Sequence, residues 1–558
     1  MINSTGYGTT FRRSLRSCLC FCVFACLFAK PAFADTYPRQ SGIDALNYVF
    51  RLTLSDDADE ILGEATVDLR FLKDGIADFT LDLASVNDGK GMRVSEVQSR
   101  GAALRFTHEA DLLRVALDSP SRAGERRQVI VRYRGVPARG LRILKNKFGE
   151  RCFFSENWPN NARQWLLMID HPYDKATSEF IVTAPIKYQV VANGLLQEET
   201  DLGDGRRLTH WRQSVPIASW LNALGVAQFS SHHAGLVKGV ELQTWVYRQE
   251  REAGPSWFET TARQALEFFS EEIGPYSYEK LANVEAAGFG GGTEHASAIF
   301  YGENSIVTNP ATGVARPVNT GLIAHEIAHQ WFGDAVTEKD WDDVWLSEGF
   351  ATYFTLLFTE HYQGRDAFVA GLQRSREQVF TLEKKSPGVA VLHNNLADMK
   401  NVLNQIIYQK GGWTLHMLRG LMGTEKFRAG IRDYYKRYRD GSASTEDFRR
   451  VMEENSGLEL SWFFEQWLAR AGSPVVEGTW VYDAQTKRVV IELTQVQSGE
   501  VYRLPLEVGL TLDGTPKIEK IEMTRKQQRF DIAADKEPVA VALDPNTRVL
   551  MEARFGKR

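Results

Sequence analysis

The sequence predicts a multidomain α+β chain, and two changes of texture along its 558 residues predict it. Short strands fill the N-terminal third, helical spacing dominates to about residue 472, and strands then return. A chain of this length exceeds what one core holds and suffices for three domains of ordinary size.

The first element is not part of the fold. Arg12, Arg13 and Arg16 precede "CLCFCVFACLFA", an apolar run of twelve, and "AFA" (Ala32–Ala34) offers a small-x-small cleavage site. That pattern reads as a secretory signal peptide over residues 1–34, with a run too short to span a bilayer well. Its removal takes Arg12, Arg13, Arg16 and Lys30 and no acid, moving the formal charge from -5 to -9. An acidic mature chain of this kind excludes nucleic acid as the expected partner. Cys18, Cys20, Cys22 and Cys26 leave with it, so Cys152 remains alone and no intramolecular disulfide is available. The expectation is a periplasmic or secreted protein with no membrane anchor after signal removal. Its oligomeric state is not readable from the sequence.

Residues 35–235 read as a β domain. "YVFRLTL", "ATVDLRFL", "RQVIVRYRGV" and "YQVVANGLL" are rich in β-branched and aromatic residues between polar turns. Residues 236–472 read as mainly helical, beginning with "PSWFETTARQALEFFSEEIG" and interrupted by the glycine cluster "GFGGGTEHAS" (Gly288–Ser297). After "AGSP", residues 473–558 return to strands such as "RVVIELTQV" and "YRLPLEVGL", enough for a small β-sandwich.

The helical region carries the chemistry. In "GLIAHEIAHQWFGD" (Gly321–Asp334), His325 and His329 stand four apart and share one helix face. Each offers one nitrogen to a single ion, and Glu326 on the adjoining flank reaches a water beside it. Pro317 marks the expected helix start. Catalytic zinc usually takes a third protein ligand, and "WDDVWLSEGFATYF" supplies Glu348 among Val344, Leu346, Phe350 and Phe354. A carboxylate in apolar company needs a countercharge, which a metal or a salt bridge provides.

At these residues the chain resembles the gluzincin aminopeptidases, the family of aminopeptidase N and leukotriene-epoxide hydrolase. "ARQWLLMIDHPYDKATSEFIVTAP" (Ala162–Pro185) and "VALDPNTRVL" extend the resemblance over nearly the whole mature chain. It implies an N-terminal β saddle, a thermolysin-like catalytic domain, a small C-terminal β-sandwich and no C-terminal helical closing domain. It also implies one zinc ion on His325, His329 and Glu348, with Glu326 as general base. "IIYQKGGWTLHMLR" (Ile406–Arg419) is similar to the family's Tyr-x-Lys-Gly helix, which makes Tyr408 the donor to the oxyanion. Glu294, after Gly291 and Gly292, matches the carboxylate that holds the substrate's free N-terminus.

The expected activity is removal of N-terminal residues from peptides. An endopeptidase or an epoxide hydrolase of the same family is the alternative, and a zinc-stabilised binding scaffold the third reading. Two departures bear on the choice. Thr293 and His295 replace the family's Met and Asn, and Trp158 stands where a Gln or Glu is common, with Glu156 two residues away. His295 is a candidate to point into the site. His171 and Asp174 read as fixing a turn, His232 and His233 as solvated loop residues, and Trp331 and Trp345 as packing behind the metal.

Overall fold

The computed structural model describes residues 35–558, apart from 305, 310, 393–395, 397–398 and 515. The expected signal peptide lies outside the described residues. No helix among them is long and apolar enough to cross a membrane.

Strands β1 (Ile43–Thr53), β2 (Ile61–Phe71) and β3 (Arg126–Val136) pair antiparallel within an eight-stranded sheet. They form because burial alternates. In β2, Ile61, Gly63, Ala65, Val67, Leu69 and Phe71 face the core while their neighbours face outward, the period of two that a pleated strand imposes. Strands β4 (Gly140–Lys145) and β5 (Arg151–Glu156) make a hairpin in a second sheet of four. Cys152–Ser155 of β5 are buried on both faces, and Glu156 emerges at its end. Strand β6 (Lys175–Pro185) returns to lie parallel to β1.

Lys175, at the start of β6, reaches out of this β region. Its ammonium donates to the carbonyls of Asp334 at 2.9 Å, Ala335 at 3.1 Å and Gly441 at 2.9 Å. Burial pushes its pKa down to about 8, yet three carbonyl acceptors match the three donors of the charged form. The β region is thereby tied to the segment that follows the candidate metal helix.

A five-stranded sheet carries the candidate site. It contains β7 (Phe229–Val237), β8 (Val240–Tyr247), β9 (Lys280–Ala286), β10 (Gly292–Thr293) and β11 (Ala298–Gly302), in the order β7-β8-β9-β11-β10. Helix α1 (Gly254–Glu272) makes the crossover between parallel β8 and β9. Strand β7 runs across the expected boundary at residue 235. It also corrects the reading of His232 and His233. Both lie in this strand rather than a loop, exposed and paired with Glu259 and Glu241.

Helices α2 (Thr320–His329), α3 (Trp345–Gln363), α4 (Arg365–Lys385) and α5 (Gln405–Met422) follow. Helix α2 begins three residues beyond Pro317, because the Asn319 side chain accepts from Leu322 N at 3.0 Å and caps it there. Helices α3 and α5 cross where two glycines meet: a Cβ on Gly349 would lie 2.9 Å from the Gly411 Cα. Only glycine allows this approach. Strands between Val475 and Lys557 form sheets of four and three. Their inward residues, among them Ile491, Leu504 and Val508, share one apolar core with the helices.

Candidate active site

Helix α2 places His325 and His329 one turn apart, with Nε2 atoms 3.2 Å from each other. Helix α3 presents Glu348 from its first turn, and Glu348 Oε2 lies 3.5 Å from His325 Nε2 and 3.3 Å from His329 Nε2. His329 Nδ1 faces the Phe332 carbonyl at 3.2 Å and Ser347 Oγ at 3.0 Å. The carbonyl can only accept, so Nδ1 carries the proton and Nε2 turns its lone pair inward.

Two imidazole lone pairs and a carboxylate oxygen thus converge, the ligand atoms within 4.8 Å of one another. Glu348 Oε2 is buried and has no hydrogen-bond donor of its own. Converging buried acceptors without a donor describe a cation site, and two histidines with one carboxylate fit the donor set of catalytic zinc.

Around this triad lies a cavity of about 250 Å³. Glu326 lines it, 4% exposed, on the helix flank beside the two histidines. Burial first, and the neighbouring Glu294 second, push its carboxyl well above the ordinary range. Strand β10 presses directly against it: a Cβ on Gly292 would sit 2.2 Å from Glu326 Cδ. A side chain at position 292 would therefore displace the Glu326 carboxyl group. Gly291 stands one step back, its carbonyl accepting from Gly302 N at 2.7 Å. Tyr408, on α5, stacks its ring on His325 at 6.3 Å and 19°. Burial and then Glu348 drive its hydroxyl pKa upward, so it stays a donor. The α3–α5 glycine crossing sets Tyr408 opposite Glu348.

Glu294 lines the same cavity. His295 does not, which corrects the expectation for it. Its ring is fully buried against Phe300 at 4.7 Å, with both nitrogens unpartnered and its pKa lowered to about 3 by burial. The chain leaves β10 after Thr293, and beyond it Glu294 stays on the cavity wall while His295 enters the core. Thr293 is on the wall, half-buried. Trp158 and Glu156 are there too, with Glu156 at the end of β5. His171 binds Asp35 at 2.7 Å, and the Asp174 carboxylate accepts from Ala45 N at 3.4 Å, both outside the cavity. Trp331 and Trp345 are fully buried, donating to Gly274 O and Thr445 Oγ1.

Sequence reasoning missed Gln330, the residue after His329. Its amide donates to Glu294 O at 3.1 Å, His295 O at 3.4 Å and Asp334 Oδ2 at 2.7 Å. Its oxygen accepts from Ser297 N at 2.8 Å and Tyr276 OH at 3.1 Å. The side chain therefore clamps the backbone of Glu294 to the end of the metal helix. Replacing Gln330 by Met should cost about 1–3 kcal/mol for each buried group left unpaired. Thermal unfolding would register that loss, and KM for peptides with a free amine should rise more than kcat falls. A KM that does not move would mean the Glu294 segment is held without Gln330.

Residues 258–467 match the Peptidase family M1 domain and residues 44–221 the Peptidase M1 N-terminal domain, together more than half of the chain. A glutamyl aminopeptidase of Sus scrofa is 28% identical over 330 residues, which are 58% of this chain and 35% of that protein. The tricorn protease-interacting factor F2 of Thermoplasma acidophilum is 28% identical over 67% of this chain and 46% of its own length. The chain spans about a third of the length of the glutamyl aminopeptidases it matches. A crystal structure of an M1 zinc metallopeptidase from Deinococcus radiodurans superposes with a TM-score of 0.66 at 26% identity, over 76% of this chain and 93% of that one.

Proposed function

The chain belongs to the M1 peptidase family, and from that premise we propose that it is a zinc aminopeptidase that removes N-terminal residues from peptides. The observation that carries this reading is the company of Glu294: a carboxylate outside the metal triad shares a cavity of about 250 Å³ with the triad and with Glu326. One ion is proposed, on His325, His329 and Glu348.

When bound, a zinc ion supplies Lewis acidity that polarises a peptide carbonyl and activates water near neutral pH. Glu326 takes the proton of the attacking water and delivers it to the leaving amine. Tyr408 donates its hydroxyl to the carbonyl oxygen as that oxygen gains charge. Glu294 pairs with the substrate's free ammonium and so counts one residue from the end to the scissile bond. Gly292 lets the peptide backbone approach, while Gly291 turns the chain toward that strand. The basic, then apolar, then small-residue pattern of residues 1–34 supports export to the periplasm or beyond.

The test uses two copies of one short peptide, one free and one acetylated at its N-terminus. Each is incubated with metal-replete protein, with and without a chelator, and products are identified by mass. The expected result is stepwise loss of N-terminal residues from the free peptide alone, abolished by the chelator. Cleavage of both peptides would replace the aminopeptidase by an endopeptidase.

A further inference from the structure

The cavity walls are strongly one-signed. Glu156, Glu294, Glu326 and Glu348 contribute carboxylates, and no lysine or arginine is among the described residues that line it. One guanidinium does reach the wall from behind. Arg142, on β4, sits opposite Phe154 of β5 and extends toward the end of that strand. Its Nη2 donates to Glu156 Oε2 at 2.8 Å, its Nη1 donates to the Gly288 carbonyl, and its Cζ lies 4.9 Å from the centroid of Phe289. Three contacts therefore hold the guanidinium in place, and only one of them neutralises it.

We propose that the Arg142–Glu156 pair determines selectivity for the first residue of the substrate: it consumes the cation at the cavity wall and so excludes peptides with acidic N-terminal residues. The proposal rests on the aminopeptidase reading. A Glu or Asp side chain entering beside Glu294 meets Glu156 and no lysine or arginine of the wall to pair with, and it loses hydration there. An apolar side chain meets Trp158 and Leu403 instead. Trp158 is a fixed wall, set edge-on against Trp220 at 4.6 Å and Trp341 at 5.0 Å. The first-residue preference in the name of the glutamyl aminopeptidases is therefore not carried over to this chain.

The pair also makes the selectivity reversible. Glu156→Gln keeps the shape of the side chain and an oxygen for Arg142, but it removes the charge. Gly288 O and Phe289 still hold the guanidinium, now uncompensated and complementary to an acidic side chain. Glu156 is about a quarter exposed and Arg142 about a third, so neither substitution opens a core.

The experiment compares peptides that differ only in a first residue of Leu, Phe, Glu or Asp. Their affinities are measured by calorimetry on the metal-loaded Glu326→Gln protein, and kcat/KM is measured on protein with Glu326 intact. The unaltered pair should favour Leu and Phe over Glu and Asp at least tenfold. Glu156→Gln should shift that ratio at least tenfold toward Glu and Asp, and Arg142→Met added to it should restore the apolar preference. Equal affinity for Leu and Glu peptides before substitution, or a ratio that Glu156→Gln leaves unmoved, overturns the proposal. Failure of the aminopeptidase reading has a different signature, cleavage of acetylated peptides, and the binding ratios are read independently of turnover.

Discussion

Glu326→Gln is expected to retain the metal and to lose ~10²–10⁴ in kcat, the usual contribution of a positioned general base. The substitution is nearly isosteric, which matters because β10 leaves little room: even a Cβ on Gly292 would overlap the Glu326 side chain. The three converging ligand atoms of His325, His329 and Glu348 are untouched by it. What changes is basicity, since an amide cannot accept the proton of the attacking water. Metal content by atomic emission, alongside turnover of a free-amine peptide, separates the two effects. Loss of metal together with activity would make Glu326 part of the metal's support, and unchanged activity would move the base elsewhere.

Tyr408→Phe is the second large effect, with ~10²–10³ expected in kcat for removal of one oxyanion donor. The ring would keep its stacking on His325, and the α3–α5 crossing through Gly349 and Gly411 does not involve the hydroxyl. KM should change little, because the donor is used only as charge develops on the carbonyl oxygen. Steady-state kinetics at several peptide concentrations gives the split. A rise in KM with kcat preserved would assign Tyr408 to substrate binding and remove it from the chemistry.

The candidate metal triad was legible because much of its geometry is local. The turn of a helix brings His325 and His329 together wherever that helix sits, and Glu348 lies near the start of the next helix along the chain. Strand content was legible for the same reason, as alternation in β2 shows. The readings that required correction turn on where a residue faces or on a strand's very existence. His295 and Glu294 are neighbours in sequence just beyond β10, and a single residue separates a wall of the cavity from a buried ring. His232 and His233, read as a loop, pair instead as the edge of the sheet that carries the site.

By itself, then, the sequence carried the α+β class and the pairing of His325 with His329, which follow from periodicities of 3.6 and 2 within short windows, while Glu348 as a candidate ligand and Glu326 as a candidate base came from the motif and the resemblance. Only the tertiary structure decided which distant residues meet them. Glu156 comes to the cavity wall that Glu294 also lines, with Arg142 behind it, through the pairing of β4 with β5, and Gln330 reaches the Glu294 backbone by the packing of α2 on the sheet. Such meetings depend on sheet register and on the mutual placement of two cores. No local pattern of apolar residues encodes that placement, because the energy that fixes it is spread over the whole packed interface.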